Sequence, residues 1–95
     1  MSRLLTEHQV NESLRSLRGW KYSKGKLKKV LHFNSYIDSM DSIMKIAKKA
    51  EELNHHPDMI VGYQKIEISF TSHDLGGVTT NCIDMAVYVD SITKS

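Results

Sequence analysis

Residues 51–57 read Glu-Glu-Leu-Asn-His-His-Pro, and a third histidine follows in Thr71-Ser72-His73-Asp74. Histidine titrates near neutral pH and passes protons in either direction, so His55, His56 and His73 are candidates for general acid–base work. Glu51 and Glu52 fall in the last turn of a predicted helix, where the macrodipole disfavours negative charge by about 0.3–1 kcal/mol. Either these carboxylates support the histidines or they point into water. A pair of surface histidines at the negative pole of that helix accounts for His55 and His56 equally well.

Other chemistries fit the residue types less well. Metal ligands on one helix recur at i and i+4, and zinc loops show separated pairs, so adjacent histidines lack the spacing even with His73 as a third donor; no metal is expected. Cys82 lies in an apolar helical stretch and behaves most simply as a small buried hydrophobe. There is no serine elbow, and a turn explains Gly76-Gly77 without a phosphate loop. Proton transfer by histidines with carboxylate support remains, and it suits hydration, dehydration or tautomerisation.

The elements that must position these groups follow from local patterns. Thr6, with Gln9 three residues on, predicts a capped helix through Val10, Leu14 and Leu17 that stops by Gly19. Trp20-Lys21-Tyr22 and Leu27 to Phe33 predict a hairpin about a Lys24-Gly25 turn, with Leu27, Leu31 and Phe33 on one face and Lys29 interrupting it. Ser35 caps the strongest helix, whose stripe is Tyr36, Met40, Ile43, Ala47 and Ala50, backed by Ile37, Met44 and Ile46. Pro57 ends that helix at or before His56 and starts a strand. Residues 65–72 alternate, with Ile66, Ile68 and Phe70 inward and His73 on the wet face or its rim. After the turn at Asp74 to Gly77, Thr79 caps a last helix towards Ile92, although Val87-Tyr88-Val89 also suits a strand. That segment is apolar on more than one face, which suggests a contact with another subunit. The order predicts an α+β fold: an antiparallel four-stranded sheet with about three helices packed on one face.

Ninety-five residues with 40% hydrophobic and 25% charged side chains predict a single domain spanning 1–95, small enough that a second copy would add useful burial. MSRLLTEHQV lacks the apolar core of a signal peptide, no stretch approaches the ~20 apolar residues of a membrane span, and a lone cysteine suits a reducing compartment. A cytoplasmic protein is expected. The net charge of +2 speaks against nucleic acid as the partner of the Lys21 to Lys29 cluster, and a solvated strand and turn explains it better.

Glu51-x-x-Asn54-His55-His56-Pro57, then Tyr63, then Thr71-Ser72-His73-Asp74-x-Gly76-Gly77-Val78-Thr79 resembles the pterin-4a-carbinolamine dehydratase family, and Gly19-Trp20 and Leu31-x-Phe33 extend the likeness over most of the chain. The resemblance implies dehydration of 4a-hydroxytetrahydropterin to quinonoid dihydropterin, without metal or cofactor, by a homodimer or homotetramer. It implies that His55 and His73 are acid and base in an order left open, and that His56 binds substrate or stabilises charge. Glu51 is implied as the carboxylate that orients an imidazole, Asn54 as a pterin contact or helix cap, and Pro57, Ser72 and Asp74 as supporting residues. Met59 and Cys82 stand where relatives often have tryptophan and aspartate. Because some relatives bind transcription factors as dimerisation cofactors, the alternative is a protein-interaction module without enzymatic activity.

Overall fold

Three capping residues set where the helices begin. The computed structural model describes residues 3–93, so positions 1, 2, 94 and 95 of the expected domain lie outside the described residues. Helix α1 (Glu7–Leu14) opens on the predicted capping box: Gln9 N–H donates to Thr6 Oγ1 at 3.1 Å and Thr6 N–H to Gln9 Oε1 at 2.9 Å. It ends earlier than the expected stop near Gly19. Ser16 and Leu17 N–H bond three residues back, to Ser13 and Leu14 carbonyls, and the Ser16 hydroxyl also takes the Ser13 carbonyl. A serine competing for backbone acceptors favours such a tight turn over continued helix, and the turn carries Leu17 into the core.

Strands β1 (Lys21–Ser23) and β2 (Lys26–His32) form the predicted hairpin. Lys24 and Gly25 both adopt positive φ, 52° and 75°, as a two-residue turn of the primed type requires. Helix α2 (Tyr36–Leu53) starts at Ser35, whose hydroxyl accepts from Asp38 N–H at 3.0 Å. Strands β3 (Asp58–Val61) and β4 (Lys65–Phe70) follow, and α3 (Thr80–Ile92) closes the chain. Val87-Tyr88-Val89 is therefore helical. The sheet is antiparallel throughout, in the order β1-β2-β4-β3. Its inward side chains Leu27, Leu31, Ile66, Ile68 and Phe70 share one core with Val10, Ile46, Ala50, Met85 and Val89 from the helices. This is the expected α+β architecture.

Two details depart from the sequence pattern. The buried side of α2 carries Ser39, Ser42, Ile46 and Ala50, so the helix is rotated away from the apolar stripe through Tyr36 and leaves Tyr36, Ile37 and Met44 exposed. Small serines permit the close approach, and Ser39 satisfies its own hydroxyl on the Tyr36 carbonyl at 2.7 Å. Lys29 occupies the inward face of β2 between Leu27 and Leu31, where its ammonium donates to Asp90 Oδ1 of α3 at 2.8 Å. Trp20 Nε1–H donates to the same oxygen at 3.0 Å. The lysine thus ties α3 to the sheet through a charge-assisted bond.

Candidate active site

Helix α2 terminates in a motif that determines where His55 points. Asn54 takes left-handed angles (φ 50°, ψ 47°), His55 N–H donates to the Ala50 carbonyl at 2.9 Å and Asn54 N–H to the Glu51 carbonyl at 3.3 Å. These are the two bonds of a Schellman ending, with Asn in the position that glycine usually fills. The reversal puts His55 partly inside the protein and His56 outside. Pro57 then leads into β3. Neighbouring histidines are thereby separated into two environments.

The His55 ring stacks on Phe70 at the end of β4, with centroids 6.1 Å apart and planes 16° from parallel. Its Nε2 lies 3.1 Å from Sγ of Cys82, in the first turn of α3. Burial, and secondarily electrostatic repulsion from the nearby His56 and His73 imidazoles, hold His55 below the ordinary histidine range, so it is neutral at neutral pH. Burial also pushes the Cys82 thiol up, outweighing its hydrogen bonds to Thr79. His56 Nε2 hydrogen-bonds the Glu51 carboxylate, both groups being exposed. The carboxylate at the helix end therefore serves His56.

His73 and Asp74 are exposed in the loop between β4 and α3. The loop is closed by Ser72 N–H to the Gly77 carbonyl at 2.8 Å, Gly76 N–H to the Ser72 carbonyl at 2.8 Å and Leu75 N–H to Ser72 Oγ at 3.1 Å. Ser72 thus spends its hydroxyl on the turn that presents His73. From the other side, Leu5 N–H donates to the Val78 carbonyl and Thr80 N–H to the Arg3 carbonyl, fixing the start of α3. A Cβ on Gly77 would stand 2.9 Å from Leu4 Cδ1, so a larger residue there would displace the end of that exposed leucine side chain.

The arrangement offers one half-buried neutral imidazole, two exposed imidazoles within electrostatic reach of it and a carboxylate that orients one of them. Such a set donates one proton and accepts another. Among the described residues no three His, Cys, Asp or Glu side chains are grouped to hold a metal, and no helix is long and apolar enough to cross a membrane. A groove of about 570 Å³ lies elsewhere, on the uncovered sheet face among Lys21, Lys28, Val30, Ile60 and Glu67. It has volume but none of the three histidines, so the histidine cluster is the better candidate. Phe70 and the Cys82 contact are the site features that the sequence did not reveal as such. The position of Cys82 three residues after the cap Thr79 was the available clue, since it places the thiol at a helix mouth.

A family model described as pterin 4 alpha carbinolamine dehydratase matches residues 3–92. The chain belongs to this family. A protein of Mycobacterium tuberculosis, provisionally named pterin-4-alpha-carbinolamine dehydratase, is 34% identical over 89 residues, covering 94% of this chain and 95% of the relative. One of Sulfolobus acidocaldarius with the same provisional name is 33% identical over 88 residues, covering 93% and 97%. A crystal structure from Brucella melitensis, titled transcriptional coactivator/pterin dehydratase, superposes with a TM-score of 0.93 at 29% identity over 96% of this chain and 99% of that one. A pterin dehydratase-like RuBisCO assembly factor of the alpha-carboxysome shares the fold at a TM-score of 0.63 and 23% identity, over 77% of this chain and 84% of that one.

Proposed function

We propose that residues 1–95 act as a single pterin-4a-carbinolamine dehydratase-like domain that converts 4a-hydroxytetrahydropterin to quinonoid dihydropterin and water. The observation that carries this is the half-buried His55, stacked on Phe70 and within electrostatic reach of His56 and His73, in a chain of this family. In the reaction the C4a–oxygen bond breaks, its electron pair leaving with the hydroxyl as that oxygen gains a proton. A pterin ring nitrogen loses a proton, and a carbon–nitrogen double bond forms. His55, neutral at neutral pH, suits the base, and exposed His73 suits the acid. His56, oriented by Glu51, stabilises charge on the substrate. Asn54 and Ser72 support the site by shaping the two turns that bear the histidines, and Pro57 and Asp74 adjoin those histidines in sequence.

The proposal includes a homodimer or homotetramer in the cytoplasm. Uncovered Ile37, Met44 and Ile60 supply apolar surface for assembly, and the free, buried Cys82 suits a reducing compartment. The test is the dehydration rate of substrate generated in situ, for wild type, His55→Ala and His73→Ala, each checked for folding and for sedimentation. Wild-type acceleration reduced about 10²- to 10⁴-fold in both variants is expected. A wild type no faster than buffer overturns the enzyme and favours a binding module; a monomer at micromolar concentration overturns the assembly.

A further inference from the structure

The contact between α2 and α3 at the candidate site joins residues 27 positions apart, and every part of it is fixed. The backbone of His55 is held by its bond to Ala50, and its ring by the stack on Phe70. Cys82 has no exposed surface. Its sulfur lies 3.4 Å from the Thr79 backbone nitrogen, which donates to it, and 3.5 Å from Thr79 Oγ1. Thr79 is in turn buried at the start of α3, beside the paired segment Arg3 to Leu5. A thiol so placed is packed against the imidazole with no solvent on its other sides.

We propose that Cys82 is a positioning residue for His55: its sulfur, 3.1 Å from Nε2, accepts the Nε2 proton and leaves Nδ1 as the atom that takes a proton from substrate. In this arrangement the sulfur accepts from Thr79 N–H and from His55 Nε2–H, with Thr79 Oγ1 3.5 Å away as its remaining partner. Sulfur is a weak acceptor, so the restraint is geometric, and a neutral partner does not stabilise imidazolium as a carboxylate would. The groups acting on His55 are Cys82 from α3, His56 from its own turn and His73 from the β4–α3 loop, while β4 contributes the uncharged ring of Phe70. Glu51 is an anion nearby in sequence, and it is engaged by His56. His55 is thus kept as a neutral base with one defined basic nitrogen.

The kinetic half of this inference rests on the dehydratase function proposed above; the structural half does not. Histidine-ring nitrogen NMR of the free protein, for wild type, Cys82→Ser, Cys82→Ala and Cys82→Asp, reads tautomer and titration directly. The expected result is one Nε2–H tautomer in wild type and the serine variant, and a mixture in the alanine variant. The aspartate variant titrates His55 at higher pH and moves the acid limb of the kcat profile with it. If burial of that carboxylate prevents folding, serine against alanine still decides. In turnover, Cys82→Ala lowers kcat about tenfold or more with little change in KM, and serine restores most of it. Mixed tautomers in wild type, or equal kcat losses in serine and alanine variants with an unchanged tautomer, would overturn the inference. A wild type that shows the single tautomer but no dehydration would overturn the enzyme while sustaining the contact.

Discussion

Asn54 is where backbone geometry and chemistry meet most closely. Its left-handed angles let the chain reverse and send His55 inward, and few side chains other than asparagine and glycine accept them. Asn54→Ala is expected to cost about 1 kcal/mol of stability, whereas Asn54→Gly leaves stability within a few tenths, as urea unfolding would measure. If Asn54 also touches substrate, the glycine variant alone separates the roles by raising KM at unchanged stability; an unchanged KM assigns Asn54 to the turn. At this scale the sequence was informative about residue types and silent about partners. Histidines beside a proline suggested either acid–base chemistry or a solvated helix end, and a carboxylate one turn earlier suggested either a support or a group pointing into water. Which histidine turns inward depends on a left-handed residue that no periodicity encodes. The Cys82 contact spans 27 residues and exists only through the packing of α2 on α3.

Among the elements, α3 is attached to the sheet most distinctively, through a charge. Lys29 is almost fully buried and Asp90 about three-quarters so, their side chains being 5% and 28% exposed. Removing the carboxylate takes a charge-assisted bond from a nearly buried ammonium and the acceptor from the Trp20 indole, which is costlier than losing the pair together. Asp90→Ala should destabilise by about 3 kcal/mol, and adding Lys29→Met should recover most of that loss. Denaturant unfolding of the two variants checks it; a double variant no more stable than Asp90→Ala would contradict the assignment. The sequence showed Lys29 as an interruption of an apolar face, because its partner lies 61 residues away. Alternation in β4 and the caps Thr6, Ser35 and Thr79 were local signals and predicted the strand and the starts of the three helices closely. The rotation of α2 was not local: two buried serines read as polar in a helical pattern, and only packing shows that their small size is the useful property.

For the molecule as a whole, the site that performs the proposed chemistry also bounds the pH range of stability. His55 is held below its ordinary value of 6.5, so as pH falls through 6.5 the unfolded chain takes a proton that the folded chain refuses. The unfolded state then binds more protons and stability declines, down to the lower folded value. Cys82 is held above its ordinary value of 9.0, so as pH rises through 9.0 the unfolded thiol ionises first and stability declines again. Both shifts come chiefly from burial at one contact between α2 and α3, so the chain should be most stable between these two values. Thermal unfolding from about pH 5 to about pH 10 should show both declines. His55→Gln should flatten the acid side down to about pH 5, below which carboxylates take over, and leave the alkaline side in place. Cys82→Ser should do the reverse, because serine does not ionise in this range. A histidine variant whose acid decline matches wild type would show that the imidazole is protonated as readily in the folded chain as in the unfolded one, and the neutral base at the centre of the proposed mechanism would be lost with it.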